Sequence, residues 1–326
     1  MSKSNPRVLV LATSEKMKGG IPSVIKAHKK GKQWEEFDCF WLATHIDKNA
    51  FYKILYALLA LIKFLFLMPT FDIVHIHLSE PPSALRKIPF LIYAKLIGKK
   101  SIVHFHSYSV ETTIHSKYDF IYKYIFTKTD IVIVLSQVWK DEVYKKFFID
   151  EKVKVLYNPC DQPDFTNKFD KEKAILYAGI LNFRKGYKDL IDAFSKIASN
   201  YPDWKLYLAG NGEIEKAKIK VESLNLHNQV TILGWIDGKE KSKYFQKASI
   251  FCLPSYAEGF PMAVLDAWSY GLPVITTTVG GLIDILYHKS NSLVNKPGDI
   301  EALSQNVSLM MSDDNLRLKI ANESVN

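Results

Sequence analysis

The sequence predicts an α/β protein of two domains, each built on a parallel β-sheet. Three observations carry this. Short, unbroken apolar runs recur along the chain, among them 7–12, 130–136 and 249–254, and strands buried on both faces of a parallel sheet read this way rather than as an alternation. The 326 residues suit two α/β domains by the usual size of a domain. Between the two sets of runs, 158–172 holds Asn158, Pro159, Pro163 and mixed charges, the composition of a linker. The first domain is accordingly placed at 1–160 and the second at 172–326.

In the first domain, strand 7–12 leads into Lys18, Gly19, Gly20, Ile21, Pro22 and Ser23, with a helix expected from Val24. Gly19 and Gly20 allow a ligand close to the backbone, although a plain strand-to-helix turn would use them too. They form no GxGxxG fingerprint, so a dinucleotide site is not indicated. Residues 51–68 are the most apolar segment. A spanning helix needs roughly 20 apolar residues. This segment is slightly short, carries Lys53 and Lys63, and ends at Pro69. On a helical projection Lys53, Tyr56, Ala60 and Lys63 share a narrow strip. The segment can be a core helix, a helix lying in a membrane interface, or a span. Strands follow at 71–77 and 101–106, each with two histidines two apart and so on one face. A zinc site is one reading of His75, His77, His104 and His106, but no cysteine or paired acid stands nearby in sequence. Buried, hydrogen-bonded structural histidines are expected at the first three. His106 falls at a strand's carboxyl end, where ligands of open parallel sheets bind. Further strands are read at 130–136 and 153–159.

The second domain opens with a strand at 174–179, then Arg184, Lys185 and Gly186 in a turn, and a helix over 187–198. Strands at 204–210 and 230–234 follow, the latter leading into Trp235. After strand 249–254 comes the most informative stretch, 256–273. Glu258 stands just before a helix start. Gly259 permits close backbone approach, and Pro261 fits the first helical position. Asp266 lies inside the helix, Gly271 suits the left-handed residue after it, and Pro273 blocks its continuation. A helix start of this kind points free N–H groups and a dipole at one spot, which favours a phosphate. A solvated acid before an ordinary helix is the plainer alternative.

Composition narrows the classes. Residues 1–160 hold 24 Lys and Arg against 14 Asp and Glu, net +10, while 161–326 hold 19 against 20, net −1. An anionic membrane surface or a phosphate-bearing acceptor is the expected partner of the first domain, and no motif for nucleic acid is present. Cys39, Cys160 and Cys252 are scattered and form neither metal spacing nor a disulfide framework, which points to a reducing cytoplasm. Residues 1–7 hold no apolar signal segment.

Glu258, the following Gly-Phe-Pro and Asp266 resemble the Glu-x7-Glu motif of the retaining GT-B glycosyltransferases, glycosyltransferase family 4. The resemblance extends over nearly the whole chain. It implies two Rossmann-like doubly wound parallel-sheet domains facing across a cleft. It implies a nucleotide diphosphate sugar as donor, UDP-linked ahead of GDP-linked, with no metal and no further cofactor. Glu258 would then contact the donor sugar, Gly259, Phe260, Pro261 and Met262 the sugar and diphosphate, and Asp266 the ribose. Lys185 and Gly186 match the family's Lys-Gly; Ile180 stands where an arginine is usual, and Arg184 is placed to supply that charge. The turn of Gly19 and Gly20 would lie near the donor phosphates, the loop at Trp235 would cradle the base, and His106 would hold the sugar from the first domain.

The family's chemistry implies transfer of a hexose with retention, the departing phosphate taking the acceptor proton. The basic first domain, the 51–68 segment and the family resemblance together point to a glycan hydroxyl acceptor, lipid-linked, in surface-polysaccharide synthesis, with the enzyme cytoplasmic and peripheral on the cytoplasmic membrane face. A nucleotide-sugar 2-epimerase and a non-catalytic sugar-nucleotide binder are the alternatives, the second because of Ile180 and Asp266. Family members continue past the charged stretch 313–326 with a helix crossing back to the first domain, so a truncation or a missing crossover is expected here.

Overall fold

The computed structural model describes residues 5–160 and 163–324. The start of the N-terminal stretch, two linker residues and the last two residues of the charged C-terminal stretch lie outside them. The chain divides between Pro159 and Cys160 into two compact units. The first carries strands β1 (Val8–Ala12), β2 (Phe40–Ala43), β3 (Ile73–Leu78), β4 (Lys100–Phe105), β5 (Ile131–Val134) and β6 (Val153–Val155). Its helices are α1 (Gly20–Lys29), α2 (Lys32–Glu36), α3 (Ala50–Leu67), α4 (Pro81–Leu96), α5 (Asp119–Lys128) and α6 (Gln137–Phe147). The second carries β7 (Ala174–Ala178), β8 (Lys205–Ala209), β9 (Val230–Gly234), β10 (Ile250–Leu253), β11 (Val274–Thr277) and β12 (Ser292–Asn295). Its helices are α7 (Tyr187–Ser195), α8 (Ile214–Ser223), α9 (Gly238–Lys247), α10 (Met262–Ser269), α11 (Ile300–Ser312) and α12 (Asp314–Glu323).

Both sheets are wholly parallel. Their orders are β2-β1-β3-β4-β5-β6 and β12-β11-β10-β7-β8-β9. Each is doubly wound: chain progression reverses between β1 and β3 in one and between β7 and β10 in the other. Such a reversal opens a crevice at the carboxyl ends of the two strands, because their following loops leave in opposite directions. The strands beside the second reversal are buried on both faces, β10 completely, as their unbroken apolar sequence requires. Large aromatics fill each core: Phe64, Phe90, Phe105, Tyr122 and Phe126 in the first unit, and Tyr177, Tyr187, Phe194, Phe245 and Phe251 in the second. The buried Tyr177 hydroxyl is satisfied by the Ile180 carbonyl at 3.0 Å.

Three expectations are corrected. Helix α1 starts at Gly20 rather than Val24, with Gly19 as its N-cap at φ 148°. Pro22 then lies in the first turn, where its missing N–H has no partner to lose. Pro261 is the N-cap of α10, in an extended conformation at ψ 115°, one residue before the predicted helical position. Helix α3 is not a core helix. Only Ala60 and Phe64 are buried, and the strip holding Lys53, Tyr56 and Ala60 turns toward the unit while the apolar face turns outward.

Candidate functional site

The chain reversal between β7 and β10 brings together two loops separated by more than sixty residues of sequence. The loop after β7 holds Arg184 and Lys185. The loop after β10 holds Ser255 and Glu258. Glu258 is 5% exposed and sits at their meeting point. Its Oε1 accepts from Lys185 Nζ at 2.5 Å and from Ser255 Oγ at 2.7 Å. Its Oε2 lies 3.4 Å from an Arg184 guanidinium nitrogen, which also donates to the Ala257 carbonyl at 2.8 Å. One carboxylate therefore faces two cations, so the cluster carries a net positive charge in a largely dry setting. Burying such a group is costly unless its hydrogen bonds are well made, and here the backbone is zipped to make them. Tyr256 N donates to the Arg184 carbonyl at 2.7 Å. The Asn182 side chain caps Lys185 N at 3.1 Å. Thr277 Oγ1 holds the Ser255 carbonyl.

Two glycines let these loops close. Gly186 has φ 67°, and a Cβ there would fall 2.0 Å from the Pro254 carbonyl oxygen. Gly280 has φ 58°, and its Cβ would fall 1.8 Å from the Glu258 carbonyl oxygen. Only a residue without Cβ fits either place. The next turn is tied down as Gly281 N donates to the Gly259 carbonyl at 2.7 Å. Gly259, Phe260 and Pro261 are buried and Met262 is half-buried. No side chain caps α10 and no acid sits in its first turn, so its N-terminal N–H groups and positive dipole end are of the kind that favours an anion.

Asp266, on the second turn of α10, is 7% exposed and pairs with Lys241 Nζ of α9 at 2.7 Å. Trp235 is half-buried after β9, its indole N–H donating to Asp237 Oδ2 at 3.2 Å. The strand order puts β9 at the sheet edge, two places from β7. Sequence reasoning missed Lys241 and the holding roles of Ser255 and Asn182. The serine was readable as part of the motif's loop. The lysine carries no local signal, since a lysine on a polar helix is ordinarily solvated.

Gly19, Gly20 and His106 belong to the first unit. His106 follows β4 directly, and its Nε2 lies 2.9 Å from His77 Nδ1. Register pairs His77 with His104 across β3 and β4, and His75 stands on the same face. The rings stack: His75 on His104 at 5.7 Å and 5°, His77 on His106 at 5.0 Å and 17°. Ring nitrogens of His75, His77 and His104 lie within 4.8 Å of one another. His77 is tilted to His75 and His104 by 31° and 35°, so the histidines form a close-packed column of imidazoles whose ring nitrogens are near enough to share an ion. His75 and His104 were expected to be hydrogen-bonded; instead His75 Nε2 and both His104 ring nitrogens find no protein partner among the described residues.

Burial, reinforced by neighbouring imidazoles, holds the column neutral. His75 and His106 both fall from 6.5 to about 3. The unfolded chain then takes up protons that the folded chain refuses. Stability is full above 6.5 and is lost as pH falls toward 3. The melting temperature is expected to drop between about pH 7.5 and about pH 5, and His75→Phe to flatten that slope. A wild-type midpoint level across this window would refute a neutral buried column.

Two parallel doubly wound sheets, the second gathering Glu258 and two cations at its reversal point, are the architecture of a GT-B protein. Residues 161–325 match the family Glycosyl transferases group 1, and residues 10–162 match Glycosyltransferase Family 4. The chain belongs to the glycosyl transferases group 1. It is 31% identical over 208 residues to an uncharacterized glycosyltransferase of Methanocaldococcus jannaschii, covering 59% of this chain and 53% of that protein. It is 27% identical over 236 residues to a Campylobacter jejuni α-1,4-N-acetyl-D-galactosaminyltransferase named for a diNAcBac-PP-undecaprenol-linked glycan, covering 70% and 64%. The chain thus spans between half and two thirds of these relatives. In fold it resembles Anabaena HepE, crystallised with UDP-glucose, at a TM-score of 0.77 and 18% identity, covering 98% of this chain and 94% of that one.

Proposed function

We propose that the protein moves a hexose, with retention, from a nucleotide diphosphate sugar to a hydroxyl of a lipid-linked glycan, with UDP ahead of GDP as carrier. One observation carries the donor half: Glu258 sits between Lys185 and Arg184 at the uncapped start of α10. A diphosphate entering there draws both cations onto its oxygens, where charge-assisted bonds are strong. Glu258, released from them, accepts hydrogen bonds from the sugar hydroxyls. The cations then stabilise the negative charge that grows on the leaving phosphate, in a site already desolvated. This work needs no metal ion. Asp266 takes the ribose hydroxyls. The acceptor half is supported by the undecaprenol-linked substrate in the name of the Campylobacter jejuni relative.

The test is a thermal-shift panel of UDP, GDP and their sugars, since a ligand that binds only the native state raises its midpoint. It is followed by transfer of labelled hexose into lipid-extractable glycan. Stabilisation by none of them, or hydrolysis and isomerisation without transfer, would overturn the reading. Lys241→Met supplies a finer check. It leaves Asp266 buried without its cation, so the ribose contact loosens while the reacting atoms are untouched. The Michaelis constant for donor is expected to rise roughly 10-fold with turnover little changed. An unchanged constant would separate Asp266 from ribose binding.

A further inference from the structure

We infer that α3 is a membrane seat: its outward face lies in the interface of an anionic bilayer, parallel to the surface, rather than crossing it. The inference rests on the first unit alone and stands or falls independently of the donor site.

Helix α3 is 18 residues long, started by Asn49, whose side chain caps Tyr52 N at 3.1 Å. Among the described residues it is the one helix long and apolar enough to cross a membrane. Its outward residues include Phe51 at 69% exposed, Ile54 at 63%, Leu58 at 55%, Ile62 at 52% and Phe66 at 79%. Soluble proteins rarely leave a contiguous apolar stripe of this length in water. Neighbouring α4 adds Ile92 and Leu96, both exposed.

The inward side explains why the helix does not span. Phe64 is fully buried, edge-on to Phe90 at 5.0 Å and to Tyr93 at 6.0 Å. Tyr93 donates its hydroxyl to the Leu65 carbonyl at 3.1 Å. Lys53, on the same side, pairs with Asp47 at 3.2 Å. Crossing a bilayer would strip Phe64 from its aromatic shelf and surround the Lys53 charge with hydrocarbon, a cost of several kcal/mol on common scales. Lying flat preserves every one of these contacts and buries the outward stripe.

Charge selects the occupant. Of the eight Lys and Arg in residues 45–100, Lys87 is buried and Lys53, Lys95 and Lys100 pair with acids, so the cations beside the stripe are Lys48 and Lys63. The Lys48 ammonium lies over the Tyr52 ring at 5.2 Å and the Lys63 ammonium over the Phe40 ring at 5.4 Å, and both lysines are exposed. A second copy of the chain would bring the same cations against these and be repelled. Anionic headgroups complement them.

Flotation of the full chain with vesicles tests this. It is expected to float with phosphatidylglycerol vesicles, to float less with phosphatidylcholine alone, and to be released as salt rises. Ile54→Glu with Ile62→Glu should abolish flotation, and Lys48→Ala with Lys63→Ala should reduce it on anionic vesicles at least tenfold. Both pairs are exposed, so an unchanged melting point shows that the fold is intact. Wild-type protein that stays at the bottom of the gradient overturns the inference. So does light scattering that shows a dimer dissociated by the glutamate pair, which would give the face to a second copy. Partition of the glutamate pair equal to wild type would also refute it.

Discussion

Replacing Lys185 by methionine is expected to lower turnover by roughly 10²–10³-fold, about 3–4 kcal/mol in the barrier, as for loss of one preorganised donor to developing charge. The ammonium is close to Glu258 at 2.5 Å and is only 13% exposed, so water cannot replace it. Arg184, at 3.4 Å and 26% exposed, remains, which keeps the loss below complete inactivation. Methionine retains the length and apolar stem, so folding should change little beyond the loss of one buried ion-pair partner. The informative measurement is the split between constants. A cation that serves the leaving phosphate lowers turnover, whereas one that merely anchors ground-state donor raises the Michaelis constant. Turnover within threefold of wild type would remove Lys185 from the chemistry.

Gly280→Ala should produce a large effect although it changes no charge. The added Cβ meets the Glu258 carbonyl oxygen at 1.8 Å and the Gly259 carbonyl oxygen at 2.9 Å. Both are backbone atoms in the loop that presents the carboxylate, so relief requires the loop to move. The left-handed conformation alone costs a non-glycine residue about 1–2 kcal/mol. A displacement of about 1 Å at a reacting group costs about 100-fold in rate. A fall in melting temperature of several degrees and an activity loss of at least about 100-fold are therefore expected, measured by calorimetry and by donor turnover. Gly271→Ala is the control. That glycine also has a left-handed φ, 65°, but a Cβ there meets nothing within 4 Å. It should lose some stability and little activity. Equal losses in the two variants would show that backbone strain, not the placement of Glu258, is responsible.

Much of the site was readable because its parts are contiguous. Glu258, Gly259, Pro261 and Asp266 fall within one loop and one helix, and helix-end chemistry acts over a few residues. Lys185 and Gly186 were readable as a turn for the same reason. What joined them was not: nothing local says that the loop after β7 meets the loop after β10, and the salt bridge from Lys185 to Glu258 follows only from β7 lying beside β10. The partner of Asp266 was hidden likewise on α9. In the first unit a spacing of two put the histidines of each strand on one face. The pairing of His77 with His104 across β3 and β4 built the column, which no spacing within either strand could show. For α3, periodicity placed Lys53, Tyr56, Ala60 and Lys63 on one strip. The aromatic shelf of Phe90 and Tyr93 decided that Lys53, Tyr56 and Ala60 of it face protein, that Lys63 stays exposed and that the apolar side faces out.

The sequence by itself determined most of the strands of both sheets, the helix start that follows Glu258 and the excess of cations in the first 160 residues. These depend on neighbours within a turn or on composition, and short-range sterics and solvation settle them. Only the tertiary structure decided which loops share a crevice, which charges neutralise each other and which side of α3 meets solvent. Those outcomes depend on strand order and on packing between segments far apart in the chain, where the energy of any one contact exists only after the sheet has assembled.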